Sequence, residues 1–306
     1  MSSLKLYGMR SAYGPAPVSF RSGGIGLVFG VMRMINFAHG DLITLGAYAL
    51  VVPSAAEVAE PYLGALNVWL MVPMIIGFVV LMMLATERFA FRPLRARHAD
   101  GPSLLISSFA ISYLIQNVIL FVHTGRPKSV NILDGLRGYV SIGDVRLPLI
   151  DIVTVAVTMV LFILLVAFLS LTRPGREIRS ASEDFVMARL LGVKANRVIA
   201  YAFAVSGVLA GAVSLLYVAK TGVLDYRMGV PLAIAGFVGT VLGGIGSLWG
   251  AMMGGLTLGI ASAFLQALLP PELRASRDAF LYGLVVLVLL VRPQGIFSSS
   301  KRLERI

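Results

Sequence analysis

A polytopic bundle of transmembrane α-helices is the fold class this sequence predicts, and three observations predict it. Of 306 residues, 58% are hydrophobic and only 13% charged, whereas soluble domains are about a quarter charged. Long uncharged stretches recur, among them 152–171, 198–219 and 228–271, of twenty, twenty-two and forty-four residues, and about twenty residues of helix cross a hydrocarbon core. Between these stretches the basic residues cluster, as the ends of membrane spans require. The class is therefore all-α, with about eight or nine membrane segments and a short extracytoplasmic hairpin.

Residues 1–24 hold Lys5, Arg10, Pro15, Pro17 and Arg21 and no apolar run long enough for a signal-peptide core. They read as a polar arm, followed by a membrane domain over 25–297 and a cytoplasmic tail over 298–306. Uncharged sequence then runs only over 22–32 before Arg33, about half of what a spanning helix needs. Next, INFAHGDLITLGAY compresses Asn36, His39 and Asp41 beside Gly40 between apolar residues. Such a knot at membrane depth marks a broken helix whose freed backbone groups need partners, or a substrate path. Both roles are open on the sequence, since His39 and Asp41 could each satisfy a helix end.

A third span occupies most of 61–86, after an acidic turn with Glu57, Glu60 and Pro61. The basic loop ERFAFRPLRARHADG follows, then a fourth span over 101–122 bearing Gln116 and Asn117, two amides expected to face protein rather than lipid. Within 123–148, YVSIGDVRLP alternates apolar and polar residues around Gly143-Asp144 and predicts a hairpin. A charged island, 173–197, joins the spans 152–171 and 198–219. In it Ser180 and Glu183 have capping-box spacing, Glu183 and Asp184 fall in a first turn, and Gly192 follows Leu191 where a left-handed C-cap belongs. These signals predict a helix over 181–191. The stretch 228–271 is long enough for two passes joined near GGIGS, and the last run, 279–291, is short enough that it must borrow flanking residues or sit in a thinned region.

Loops 87–101, 173–197 and 292–306 carry fourteen Lys and Arg, against eight for 123–148, 220–229 and 270–278. The first set is cytoplasmic and the hairpin lies outside. Gly207, Gly211, Gly236, Gly239, Gly243, Gly250, Gly254, Gly255 and Gly259 give repeated small-x-x-x-small spacings, which predict close helix packing, with Gly207, Gly211, Gly250 and Gly254 as its contact points.

The net charge of +11 is explained by these loops, and no polar domain exists to present a groove to nucleic acid. With no cysteine, and with His39, His98 and His123 far apart, the sequence offers no metal cluster. No lysine follows a glycine, so a phosphate-binding G-x-x-x-x-G-K loop is absent, as are H-E-x-x-H and G-x-S-x-G. An ion-coupled carrier would bury carboxylates or histidines for its ion, and the apolar runs after residue 41 hold none. That argues for power supplied from elsewhere, with a carrier or gated channel as the competing class.

Several stretches resemble one family, the membrane permease subunits of high-affinity branched-chain amino acid ABC transporters. GLVFGVMRMINFAHGDLITLGAY looks like its first signature and ERFAFRPLR like its first cytoplasmic loop. GREIRSASEDFVMARLLGVKANRVIAYAF looks like its coupling loop, VLGGIGSLWGAMMGGLTLG like its late glycine-rich helices and VLLVRPQGIF like its end. The motifs are closer to the shorter of the two paired permeases, and urea and short-amide permeases share them. The resemblance implies a multi-pass protein of the bacterial inner membrane. It implies as partners a second permease, two cytoplasmic ATPases that use the ATP, and a periplasmic binding protein, with no cofactor on this chain. It also gives the helix ending at Leu191 and Gly192 a role in coupling to the ATPase: Ala188 and Gly192 match an alanine-alanine-three-residue-glycine pattern in which Met187 replaces the first alanine. One departure is the polar arm, where the family has a full apolar first helix. The expectation is a misread start, with the DNA before the Ile25 codon encoding about ten to fifteen apolar residues in another frame.

Overall fold

The computed structural model of the protein describes residues 36–296, apart from 137, 143–144, 184 and 245–247. The polar arm, the short segment 22–32 and the tail 298–306 lie outside the described residues. The described helices are α1 (Ala38–Tyr48), α2 (Val68–Ala96), α3 (Gly101–His123), α4 (Leu149–Leu171), α5 (Arg173–Glu183), α6 (Phe185–Leu190), α7 (Ala195–Thr221), α8 (Gly229–Gly243), α9 (Leu248–Leu268) and α10 (Arg277–Val291). Five of them, α2, α3, α4, α7 and α9, are long and apolar enough to cross a membrane. Helices α8 and α10 have fifteen residues each, about 22 Å against roughly 30 Å of hydrocarbon. Helix α10 includes Arg277 and Asp278 at its start.

Local chemistry sets several of these boundaries. The Asn67 side chain accepts the Trp69 N–H at 3.4 Å, and Asp100 accepts the Ser103 N–H at 3.3 Å, so α2 and α3 both start on side-chain caps. Within α2, Glu87–Phe91 is a π-helical turn whose Glu87 is buried and paired with Arg95.

Burial separates the helices into an inner one and an outer one. None of the residues of α4 is buried, and its side chains are almost all apolar, so it faces lipid. Helix α1 is buried at nine of its eleven positions, surrounded by α2, α3, α7 and α8. It runs parallel to α3: Phe37 stacks on Phe109 at 4.2 Å at one end and Tyr48 meets His123 at 4.8 Å at the other.

Between α3 and α4, β2 (Tyr139–Ile142) and β3 (Val145–Pro148) form the expected antiparallel hairpin, with Ile142 opposite Val145. A second ladder was not foreseen: β1 (Lys128–Ser129) pairs with β4 (Val223–Leu224), Lys128 opposite Leu224. The Ala59 N–H donates to the Ser129 carbonyl at 2.9 Å, so the loops after α1, α3 and α7 are stitched into one cap.

The expected helix over 181–191 requires correction. Helix α5 starts eight residues earlier, at Arg173, and Ser180 lies inside it rather than at its cap. Thr172 supplies the cap, its hydroxyl accepting the Gly175 N–H at 3.1 Å, and Pro174 suits the first turn. The other end is as expected: Gly192 has φ +88° and the Val193 N–H returns to the Ala188 carbonyl at 3.1 Å.

The four contact glycines all sit where backbones meet. A Cβ on Gly207 would lie 2.8 Å from Val80 Cα, and one on Gly211 2.9 Å from Ile76 Cα, so α7 and α2 cross there. A Cβ on Gly254 would overlap the Gly239 carbonyl, and one on Gly243 the Gly250 carbonyl, closing α8 on α9. Gly236, Gly255 and Gly259 have open space instead. Gly211→Leu is expected to lower stability by about 1–3 kcal/mol through overpacking, read as a lower melting temperature in detergent. Gly236→Ala should leave that temperature level or raise it, and equal melting of the two variants would remove the crossing from the fold's support.

Candidate functional site

Helix α1 opens on Asn36, whose Oδ1 accepts the Ala38 N–H at 3.1 Å while its carbonyl takes the His39 N–H at 3.2 Å. Asn36 therefore serves the helix end. His39 and Asp41 do not cap; they reach sideways to neighbouring helices. The Phe37 N–H donates to Ser108 Oγ at 3.4 Å, and Ser108 is the eighth residue of α3, so α1 begins about 10 Å inside the depth that α3 crosses.

Asp41 is fully buried. Its carboxylate accepts the Ser112 hydroxyl and, at 3.1 Å, the Gln116 Nε2–H, both from α3. On the other flank His39 Nδ1 lies 3.4 Å from Ser206 Oγ of α7. Below them Gly40 meets Gly229 backbone to backbone, so that a Cβ on either would overlap the other's carbonyl, and Thr44 packs into the same crossing. The Thr44 hydroxyl donates to the Gly40 carbonyl at 3.3 Å. A polar centre is thus held at membrane depth by four helices. Its buried carboxylate is met by neutral donors, an arrangement that is expensive in a low-dielectric interior and is characteristic of functional positions within membranes.

Asn117 does not join this centre. It is exposed and its Nδ2–H donates to the Tyr113 carbonyl of its own helix at 2.7 Å, because one residue beyond Gln116 lies about 100° further round the helix. The sequence reading overlooked Ser108 and Ser112, which with Gln116 recur every four residues and make one polar stripe on α3. That spacing was the available signal. For Ser206 and Gly229 no local signal exists.

In the connection between α4 and α7, α6 buries Ala188 while exposing Met187, and Leu190, Leu191 and Gly192 close it in the open. The side chain of Glu183 and the whole of Asp184 lie outside the described residues. Ile178 and Ala181 of α5 are buried, and α5 rests on α4 and α7, so this connection is packed onto the bundle rather than free of it.

A multi-pass helical bundle with a buried polar centre on a half-length inner helix defines a membrane transport protein. The chain belongs to the family described as the permease component of branched-chain amino acid transport systems, whose profile matches residues 16–290. It is 34% identical over 283 residues to the high-affinity branched-chain amino acid transport system permease protein BraD of Pseudomonas aeruginosa, across 89% of each chain. It is likewise 34% identical over 282 residues to the permease protein LivH of Escherichia coli, across 89% of this chain and 88% of that one. A probable branched-chain amino acid transport permease of Methanocaldococcus jannaschii is 24% identical over 293 residues. No solved structure matches the chain.

Removal of the Asp41 carboxylate should strand the donors of Ser112 and Gln116. Asp41→Ala is expected to destabilise the protein by about 1–3 kcal/mol, with a coupling of about 0.5–3 kcal/mol in the Asp41→Ala, Ser112→Ala cycle, measured by denaturant unfolding in detergent. Asn117→Ala should do neither, and additive effects in the cycle would dissolve the proposed centre.

Proposed function

We propose that this chain is a permease subunit of an ATP-binding-cassette importer of the bacterial inner membrane, carrying branched-chain amino acids inward. The observation that carries the reading is the cytoplasmic helix pair α5–α6, ending in the exposed apolar residues Leu190 and Leu191 and the left-handed Gly192. These apolar side chains are exposed, and they fit a soluble partner. The names of BraD and LivH support the cargo. The partners in this reading are a second permease, two cytoplasmic ATPases and a periplasmic binding protein. ATP is consumed by the ATPases, and this chain itself binds no cofactor.

The route from power to cargo runs through packing. Closure of the ATPases would displace α5 and α6, which are continuous with α7 but for a turn. Helix α7 touches α1 at Ser206 against His39 and at Ser214, which would obstruct a Cβ on Gly46 at 2.9 Å. A shift of α7 is therefore felt at the polar centre, where exposure would alternate between the two sides.

Gly192→Pro forces φ from +88° to about −65° and should unseat the end of α6 while leaving the spans inserted. In proteoliposomes holding all subunits, L-leucine uptake and leucine-stimulated ATP hydrolysis are expected to fall at least ~10-fold, about 1.4 kcal/mol of coupling. Wild-type values for both would remove α6 from the coupling.

A further inference from the structure

One rhythm sets the two faces of α2. Met71, Ile75, Val79, Met83 and Glu87, each four residues after the last, are buried against the bundle. On the other side Leu70, Met74 and Leu81 are exposed, and a Cβ on Gly77 would meet nothing within 4 Å. In a helix that crosses a membrane, that outer apolar stripe faces lipid. Continued from Leu81 by seven residues, two turns of helix, it reaches Arg88, and Arg92 follows four residues later. Phe89, 78% exposed, stands beside Arg88.

Basic residues end many membrane spans, so charge alone decides nothing. What distinguishes this end is how its charges are disposed. Glu87, the acid of the π-helical turn, faces inward and is taken up by Arg95, so it does not neutralise the outer arginines. Arg88 is exposed and Arg92 half-buried, and neither makes a hydrogen bond or ion pair among the described residues. The inner side of the same turn is fixed to the core: Phe91 is fully buried, with its ring 5.7 Å from that of Phe203 in α7. The turn is therefore held on one side, and on the other it offers two free guanidiniums and an aromatic ring where apolar surface gives way to charge. Lipid phosphates lie at that level.

We propose that Arg88, Phe89 and Arg92 form a docking site for an anionic phospholipid. The two guanidiniums take the headgroup phosphate, and Phe89 lies against the start of the acyl chains. A zwitterionic head brings its own cation to the arginine pair and is held less well. The partner is lipid rather than an acidic protein, because the arginines continue the lipid-facing stripe and carry an exposed apolar ring between them. Arg97 lies five residues past Arg92, about 140° further round a helix, and falls off this stripe. A lipid held here would brace the end of α2 against α7 through Phe91 and Phe203.

The test uses the full chain in phosphatidylcholine nanodiscs and a single fluorescent reporter, Phe89→Trp, with the two native tryptophans removed as Trp69→Phe and Trp249→Phe. Phosphatidylglycerol or phosphatidylcholine, brominated high in the acyl chains, is added as the quencher. Both should quench, and the phosphatidylglycerol should act at a mole fraction at least about fivefold lower, the preference that one arginine near a phosphate supplies. Arg88→Gln with Arg92→Gln should abolish that preference while leaving quenching by brominated phosphatidylcholine intact, which also shows that the variant still inserts. Arg97→Gln removes the same kind of charge and should keep the preference. Equal quenching by the two lipids in the reporter chain overturns the site, as does a preference that survives the double variant. Loss of the preference in Arg97→Gln overturns it too, by reducing the effect to diffuse surface charge. Quenching by neither lipid places the reporter in water and gives the arginines to an acidic soluble partner instead.

Discussion

An eleven-residue helix is about 16 Å long and cannot cross a bilayer, and the packing around α1 follows from that constraint. Hydrocarbon offers no water to the free N–H and C=O groups of a helix end, so such an end survives at membrane depth only when protein surrounds it. That is why α2, α3, α7 and α8 all close on α1, and why Asn36, two residues before its start, turns its side chain to the Ala38 N–H. Close approach on four sides requires small residues. Gly40 against Gly229, and Gly46 against Val79 and Ser214, are where the backbones gain the room. Buried at nine of its eleven positions, α1 can then hold Asp41 out of contact with lipid.

Much of the bundle was legible because membrane insertion writes length and charge directly into sequence. The apolar runs gave the spans, and the hairpin YVSIGDVRLP paired in the register its alternation implied, with Tyr139 opposite Pro148. The end of α6 at Gly192 was equally plain, since a positive φ selects glycine. The start of α5 was not. A capping box at Ser180 and Glu183 competed with Thr172 and Pro174, and the latter pair prevailed because a cap and a first-turn proline extend the helix directly from the membrane surface. Whether any given S-x-x-E caps a helix depends on where the chain already is helical, which spacing alone does not reveal.

The polar centre was half legible for a related reason. Asn36, His39 and Asp41 stood out as polar residues in apolar surroundings, but their partners lie far along the chain. Ser108 and Ser112 are unremarkable residues in a span, and only their four-residue rhythm with Gln116 points to a shared face. Reading Gln116 and Asn117 as a pair obscured that rhythm, because neighbours in sequence diverge round a helix. The β1–β4 ladder was invisible for the opposite reason: two-residue strands carry no periodicity, and their pairing is imposed by the helices that deliver them.

On the proposed coupling, α1 is a helix held between a fixed wall and a moving one. Its bonds to α3 include two from Ser112 and Gln116 to the buried Asp41 carboxyl and one from the Phe37 N–H to Ser108 Oγ. Its polar contact to α7 among the described residues is the 3.4 Å approach of Ser206 to His39, near the limit at which a hydrogen bond counts. A displacement of α7 by an ångström would therefore break with α1 on the His39 side while the Asp41 side holds, opening the centre between α1 and α7 rather than between α1 and α3. The glycine crossing of α7 on α2, at Gly207 and Gly211, resists separation at the outer face of the same helix, so α7 would slide or rotate along α2 rather than lift from it. In this arrangement the long His39–Ser206 contact lies on the surface across which motion from the cytoplasm arrives.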